Sequence, residues 1–310
     1  MENFDLQFDI LLKYYRIHSY IYTIPEDLTL VKGGTFEGDS CLLFLRFPEN
    51  SSVIPKEAFR GNACIVKVHI PPQITSIGDS AFEGCWKLAE ITIPDTVRTI
   101  GREAFSFTRI TNITIPKGIT KIKDRTFLYC SHLKSVILPE GLKAIGASAF
   151  SECCSLTDIT IPETVTQIGD DAFDGCENLT LRYGKYCLPP VIAQKFDYHA
   201  LHMLKDKQLS APVPTFVKAY LLSEIYLHAP QETEIIACIR KRFTKLFKTL
   251  IAMQFTSLAE KMIQSGQFLT QENIDELIQY AIKQKAYEIQ LMLIHYKYQH
   301  FGDSRKELKL

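Results

Sequence analysis

The sequence carries no net charge, because its 35 basic and 35 acidic side chains cancel. No overall field therefore draws the chain toward nucleic acid or a membrane surface. No apolar run reaches the ~18 residues that mark a membrane-spanning helix. The opening residues, Met1-Glu2-Asn3-Phe4-Asp5, start acidic and lack a basic segment followed by an apolar one, so no secretory leader is expected. The sequence also lacks the phosphate loops G-x-x-x-x-G-K-S/T and G-x-G-x-x-G, the zinc pair H-E-x-x-H and the nucleophile elbow G-x-S-x-G. Its composition, 46% apolar and 23% charged over 310 residues, excludes collagen, coiled coil and wholesale disorder. It leaves room for one large or two ordinary domains. These absences point to a cytoplasmic, folded protein that is not an enzyme and has no cofactor and no metal.

What the chain does have is a period. A strand-like segment ends in proline at Pro25, Pro48, Pro71, Pro94, Pro116, Pro139 and Pro162, at intervals of 23, 23, 23, 22, 23 and 23. Phenylalanine follows in step at Phe36, Phe59, Phe82, Phe105, Phe127, Phe150 and Phe173. In the clearest unit Leu88, Ile91 and Ile93 point inward from a strand, and Pro94 ends it because proline cannot donate the next ladder bond. Val97 and Ile100 make a second apolar step, Gly101 is expected to turn at positive φ, and Ala104-Phe105 fills the convex side. One such unit cannot bury its apolar face, whereas stacked units bury a continuous column.

The pattern L-x-x-I-x-I-P-x-x-V-x-x-I-G-x-x-A-F resembles the BspA-like leucine-rich repeat family. It fits Leu133–Phe150 and Leu156–Phe173 closely, and Ile65–Phe82 nearly so. There are departures. Lys123 replaces the glycine in a unit one residue short, Ile54-Pro55 replaces Ile-Gly, and the unit ending at Thr35-Phe36 is the weakest. The resemblance implies a binding solenoid and no shared chemistry. The expected organisation is an N-terminal cap over 1–19, a leucine-rich solenoid of about seven units over 20–187, an all-α domain over 188–302 and a polar tail over 303–310. The fold class is thus α+β in two parts.

Four of the nine cysteines, Cys85, Cys130, Cys153 and Cys176, occupy one repeat position, with Asp39, Asn62 and Phe107 as equivalents elsewhere. They are read as structural thiols in a reducing compartment, since a zinc site needs paired ligands converging from short loops. Asp170, Asp171 and Asp174 are read as solvated turn acids, and His295 and His300 as surface histidines.

Beyond Leu188-Pro189-Pro190 the pattern becomes helical, with about six helices. Ile235, Ile239, Phe243, Leu246, Phe247 and Leu250 form one stripe, and Thr270-x-x-Asn273 marks a helix start. A shift of 31 residues maps Leu246, Phe247, Leu250, Ile251, Leu258, Met262 and Ile263 onto Leu277, Ile278, Ala281, Ile282, Ile289, Leu293 and Ile294. Helix pairs repeating at this length are similar to degenerate ankyrin repeats, although the usual Thr-Pro-Leu-His turn is absent. Residues 1–189 carry a net charge of −4 and residues 190–310 of +4.

With no catalytic constellation in view, surface is what remains. Side chains alternate along a strand, so two rows face outward on the concave sheet. The expected partner-binding residues are Phe44, Arg46, Lys67, His69, Glu90, Thr92, Asn112, Thr114, Ile137, Asp158 and Thr160. A second, basic face carries Lys241, Lys245 and Lys248. The expected function is non-catalytic recognition of another protein by a chain that is monomeric on its own. A cell-surface adhesin, or an effector or enzyme active in the helical part, is the alternative.

Overall fold

A computed structural model describes residues 51–63 and 65–302, together with the backbone of two strands, Ile21–Thr23 (β1) and Phe44–Arg46 (β2). The expected cap, the weakest repeat unit and the polar tail lie outside the described residues. From residue 53 to 183 the chain coils into a β-solenoid of about six turns, and an all-helical region follows.

Each coil has three sides. The first is a short strand: Lys67–His69 (β4), Glu90–Thr92 (β6), Asn112–Thr114 (β8), Ser135–Ile137 (β10), Asp158–Ile161 (β12) and Thr180–Tyr183 (β14). The second is a two-residue strand: Val53–Ile54 (β3), Ser76–Ile77 (β5), Thr99–Ile100 (β7), Lys121–Ile122 (β9), Ala144–Ile145 (β11) and Gln167–Ile168 (β13). Pairing along both columns is parallel, so each coil repeats the register of its neighbour.

The third side is a turn segment. Alternate residues donate N–H groups to the next coil, as in Ser80 to Arg102 O, Phe82 to Ala104 O and Gly84 to Ser106 O, at 2.7, 2.9 and 2.9 Å. Its phenylalanines form a buried ladder. Phe59, Phe82, Phe105, Phe127, Phe150 and Phe173 stack with centroids 5.2–5.7 Å apart and planes within 18° of parallel. All six are fully buried. Stacked aromatic pairs of this kind add about 0.5–1.5 kcal/mol each beyond the area they remove from water.

The structure corrects the reason for the repeat glycine. Gly101 does not adopt positive φ. A Cβ on it would instead lie 2.3 Å from the backbone of Gly78 in the preceding coil, so the position is glycine because two backbones touch there. Left-handed backbone falls two residues later, at Glu57, Ser80, Glu103, Arg125, Ser148 and Asp171. It recurs two residues after each phenylalanine, at Gly61, Gly84, Phe107, Tyr129, Glu152 and Gly175. Pro55 makes the same turn as the Ile-Gly coils, with Glu57 at φ 56°.

The short unit leaves a visible mark. The first-side strands form one sheet ending at β6 and another starting at β8, and the second-side strands divide between β7 and β9. The missing residue lies between Thr108 and Ile110. Thr108, not Phe107, fills the cysteine position: it is buried, and its hydroxyl donates to Phe105 O at 2.8 Å. The turn side carries on across this step, with Phe105 N to Thr126 O at 3.0 Å and Phe107 N to Leu128 O at 2.8 Å. Lys123 stands in the glycine position at this same step.

An antiparallel strand, Tyr186–Leu188 (β15), turns back on β14 through Gly184 at φ 53° and ends the parallel stack. Helix Pro190–Ala193 (α1) then packs on β14. Contacts within the chain divide it between Leu201 and His202.

Seven helices are described, one more than the sequence suggests. Tyr198–Lys205 (α2) is followed by Thr215–His228 (α3), Thr233–Ala252 (α4), Thr256–Gln264 (α5), Gln271–Lys283 (α6) and Tyr287–Phe301 (α7). Helix α3 is buried on most sides and packs on α4 and α5. Helix α4 packs on α6 and α5 on α7, so the hairpin α4–α5 is stacked like on like against α6–α7. Thr270 caps α6 in a capping box, accepting from Asn273 N at 3.3 Å while Asn273 Oδ1 accepts from Thr270 N at 2.9 Å.

Candidate functional site

The first-side strands show the expected alternation. In β4, β6, β8 and β10 the central residue is buried and its two neighbours are exposed. Core demands therefore fix Val68, Ile91, Ile113 and Val136, and leave the flanking positions free to vary. Backbone pairing aligns Lys67 with Glu90 and His69 with Thr92. Beyond the interruption it aligns Asn112, Ser135 and Asp158 in one row, and Thr114 with Ile137 in the other. Strand β2 continues both rows through Phe44 and Arg46, which pair with Lys67 and His69. The side chains of Phe44 and Arg46 lie outside the described residues.

The two ends of this surface differ chemically from its middle. At one end Lys67 Nζ meets Glu90 at 2.8 Å. At the other, Arg182 holds Asp158 at 3.0 Å, and that carboxylate raises the arginine's proton affinity. Arg182 extends the row past Thr160 and was not among the sequence expectations, because β14 reads there only as a terminal strand. Between the ion pairs the outward residues are uncharged: Thr92, Asn112, Thr114, Ser135 and Ile137. Ile137 is 60% exposed and is the large apolar side chain of the row. Exposed ion pairs of this kind contribute about 0–1 kcal/mol each to stability.

A second exposed feature was missed in the sequence. Trp86, Phe107 and Tyr129 form an aromatic strip on the turn side, with centroids 5.8 and 4.9 Å apart. Gly84, two residues before Trp86, is glycine for its backbone, which turns at φ 72°. The strip escapes a search for regular period because Trp86 occupies a different repeat position from Phe107 and Tyr129.

The cysteine column is structural in its geometry. Cys85, Cys130, Cys153 and Cys176 are buried, and each thiol donates to a phenylalanine carbonyl of the coil before it, at 3.1–3.3 Å. Burial pushes the Cys130 thiol up to about 11 and raises Cys85 and Cys153 as well. Such thiols are protonated and inert at neutral pH. Among the described residues no cluster of three histidine, cysteine or acidic side chains suits a metal ion. Asp174 instead binds Lys195 at 2.8 Å.

On α4, Lys241 and Lys245 are exposed and Lys248 is half-buried. It pairs with Glu276 and lies over the Tyr280 ring at 5.2 Å, tying α4 to α6. Beside α4, Val213, Lys218, Leu222, Arg242 and Lys245 line a shallow indentation of about 230 Å³. Glu224, which burial pushes toward its protonated form, sits next to His228 on α3. No helix among the described residues is long and apolar enough to cross a membrane.

Comparison with known proteins agrees with the coil. The BspA type leucine rich repeat region matches residues 52–180 in six copies. A leucine-rich repeat protein from Bacteroides ovatus is 29% identical, with a TM-score of 0.50, over 52% of this chain and 45% of that one. The leucine rich repeat protein of T. pallidum is 32% identical over 46% of this chain and 70% of that one, with a TM-score of 0.44. A leucine rich cell surface protein from Faecalibacterium prausnitzii is 27% identical over 54% of this chain and 60% of that one, with a TM-score of 0.34. The chain thus spans less than half the length of the Bacteroides protein, and no curated protein matches it. Leucine-rich repeat proteins are a non-enzymatic class of interaction and surface-binding modules. Through its repeated coils, the chain belongs to the BspA type leucine-rich repeat family.

Proposed function

We propose that the protein is a non-catalytic recognition module that binds another protein through the concave face of its solenoid. One observation carries the reading: a monotonous core supports outward rows that vary from coil to coil, with threonine alone recurring, at Thr92, Thr114 and Thr160. Nothing in the fold requires Lys67, His69, Glu90, Thr92, Asn112, Thr114, Ile137, Asp158 or Thr160 at those positions. A partner surface does. In this reading Ile137 is the apolar anchor, the hydroxyl and amide side chains around it supply hydrogen bonds, and the two ion pairs frame the contact. Phe44 and Arg46 extend the surface by register, and aromatic and arginine side chains are frequent anchors. The parallel ladders preorganise all of these groups, so little entropy is lost on binding.

The solenoid, residues 20–187, is the recognising part of this proposal, and the helical part, 188–302, with its ankyrin-like stacked hairpins, is a second scaffold. A cytoplasmic, reducing setting belongs to the same reading, since it preserves the exposed thiol of Cys154. Lys241 and Lys245 form a secondary basic face.

The test compares the native chain with His69→Ala/Ile137→Asp and with Lys241→Glu/Lys245→Glu as baits in native cell extract. Loss of one bound protein with the first variant only, at unchanged melting temperature, supports the concave face. Retention of every bound protein by that variant overturns it.

A further inference from the structure

In the helical unit, five of the seven residue pairs related by the 31-residue shift are buried in both hairpins. Two are not. Ile251 is fully buried while its counterpart Ile282 is 44% exposed, and Ile263 is 5% exposed against 38% for Ile294. The face that α4–α5 covers with α6–α7 is therefore open on α6–α7 itself. Along α7 it is flanked by Tyr287, Leu291 and Tyr298, exposed by 62%, 65% and 54%. Residues 287, 291, 294 and 298 fall on one helical stripe. The other side of α7 buries Ile289, Leu293 and Tyr296 in its own unit.

We propose that this stripe is the interface of a homodimer in which α7 packs antiparallel against α7 of a second copy. A closed two-fold interface must complement itself when the chain direction is reversed. The stripe does so twice over. It reads Tyr, Leu, Ile, Tyr, and its separations are four, three and four, so both spacing and residue class are palindromic. Antiparallel packing centred between Met292 and Leu293 sets Leu291 against the partner's Ile294 and Tyr287 against the partner's Tyr298. At the flanking positions Glu288 faces the partner's His295, and Lys297 faces the partner's Gln290, so no like charges meet. Lys297 is already held by Asp275 of its own chain at 2.7 Å. Opposed helix dipoles favour the same orientation. The two tyrosine layers close the ends of an aliphatic centre, with Ile282 beside it.

Sedimentation velocity of the full chain from about 1 to 100 μM, spanning the range of ordinary dimer affinities, tests this directly. The native chain is expected at twice its 35.4 kDa mass. Leu291→Glu and Ile294→Glu are each expected to raise the dissociation constant by at least ~30-fold, the effect of losing a central anchor. Both residues are exposed, so the helical circular dichroism of each variant stays native. Lys241→Glu, on another helix, serves as the control and leaves the dimer intact. A native chain that is monomeric throughout overturns the proposal and leaves the stripe to a foreign helix. A dimer that persists in both variants also overturns it, because the interface then lies elsewhere. Growth past two copies overturns it in favour of an open, head-to-tail stack of hairpins.

Discussion

Phe107 and Tyr129 stack face to face, 4.9 Å apart and within 10° of parallel, and both hold φ at 58°. They bridge the step at which both strand columns are interrupted. Bulky residues rarely accept left-handed backbone, and other coils place Gly61, Gly84 and Gly175 at this position. The stack offsets the conformational cost where strand pairing is missing. It also leaves an aromatic edge in solvent beside Trp86.

This arrangement reverses a usual substitution rule at Phe107. Removing the ring loses two aromatic contacts whether alanine or glycine replaces it, but only glycine is relaxed at φ 58°. Phe107→Gly is expected to be more stable than Phe107→Ala by about 1 kcal/mol. Equilibrium urea unfolding of the two variants checks the order, and the opposite ranking would remove the strain argument.

Gly101 is constrained by space instead. Its Cβ would lie 2.3 Å from Gly78 backbone, which no side-chain rotation relieves. Gly101→Ala is expected to cost about 3 kcal/mol or more, at the upper end of overpacking effects. A loss below about 1 kcal/mol in the same unfolding assay would show that the coils can separate without penalty.

Thus the sequence identified the repeat glycine but misread its cause, because a pattern shows where a residue type recurs and not which atoms approach it. The period itself was legible because one stacked phenylalanine and one proline-ended strand recur in every coil. The Thr108 equivalence was hidden by a one-residue deletion whose place only hydrogen bonds reveal. The outward rows were legible from alternation alone. The neutral middle between Lys67–Glu90 and Asp158–Arg182 was not, since pairing across coils depends on register. The open stripe of α7 was masked by a buried one: Ile289, Leu293 and Tyr296 explain the helix before Leu291 and Tyr298 are considered.

The buried thiol of Cys130 makes stability fall in alkali. Cys130 titrates near 11 when folded and at 9.0 as an unperturbed thiol, so the unfolded chain releases its proton first. The stabilisation is complete below pH 9.0 and is lost as pH rises through about 11. Cys130 contributes a slope approaching about 1.4 kcal/mol per pH unit in that window. Cys130→Ala is expected to flatten the decline in unfolding free energy between these values, and an unchanged slope would contradict it. In the native state, an aromatic disulfide reagent should reach Cys154 before any buried member of the column.

Lys248 and Lys241 should behave differently despite their shared charge and helix. Lys248→Glu sets like charges against Glu276 and removes the cation from the Tyr280 ring, at an expected cost of about 1 kcal/mol. Lys241→Glu should fall within about 0.5 kcal/mol of native, as exposed positions do. Thermal melts of the two single variants make the comparison.

The interruption between β6 and β8 divides the solenoid into two blocks joined through the turn side. Cooperativity in a stacked array passes only between nearest neighbours. The weakest coupling therefore decides where the array separates into independent melting units. Amide exchange should show two protection classes, one on each side of Thr108, with the Phe105–Phe127 stack as the seam where an opening fluctuation started in one block stops before it reaches the other.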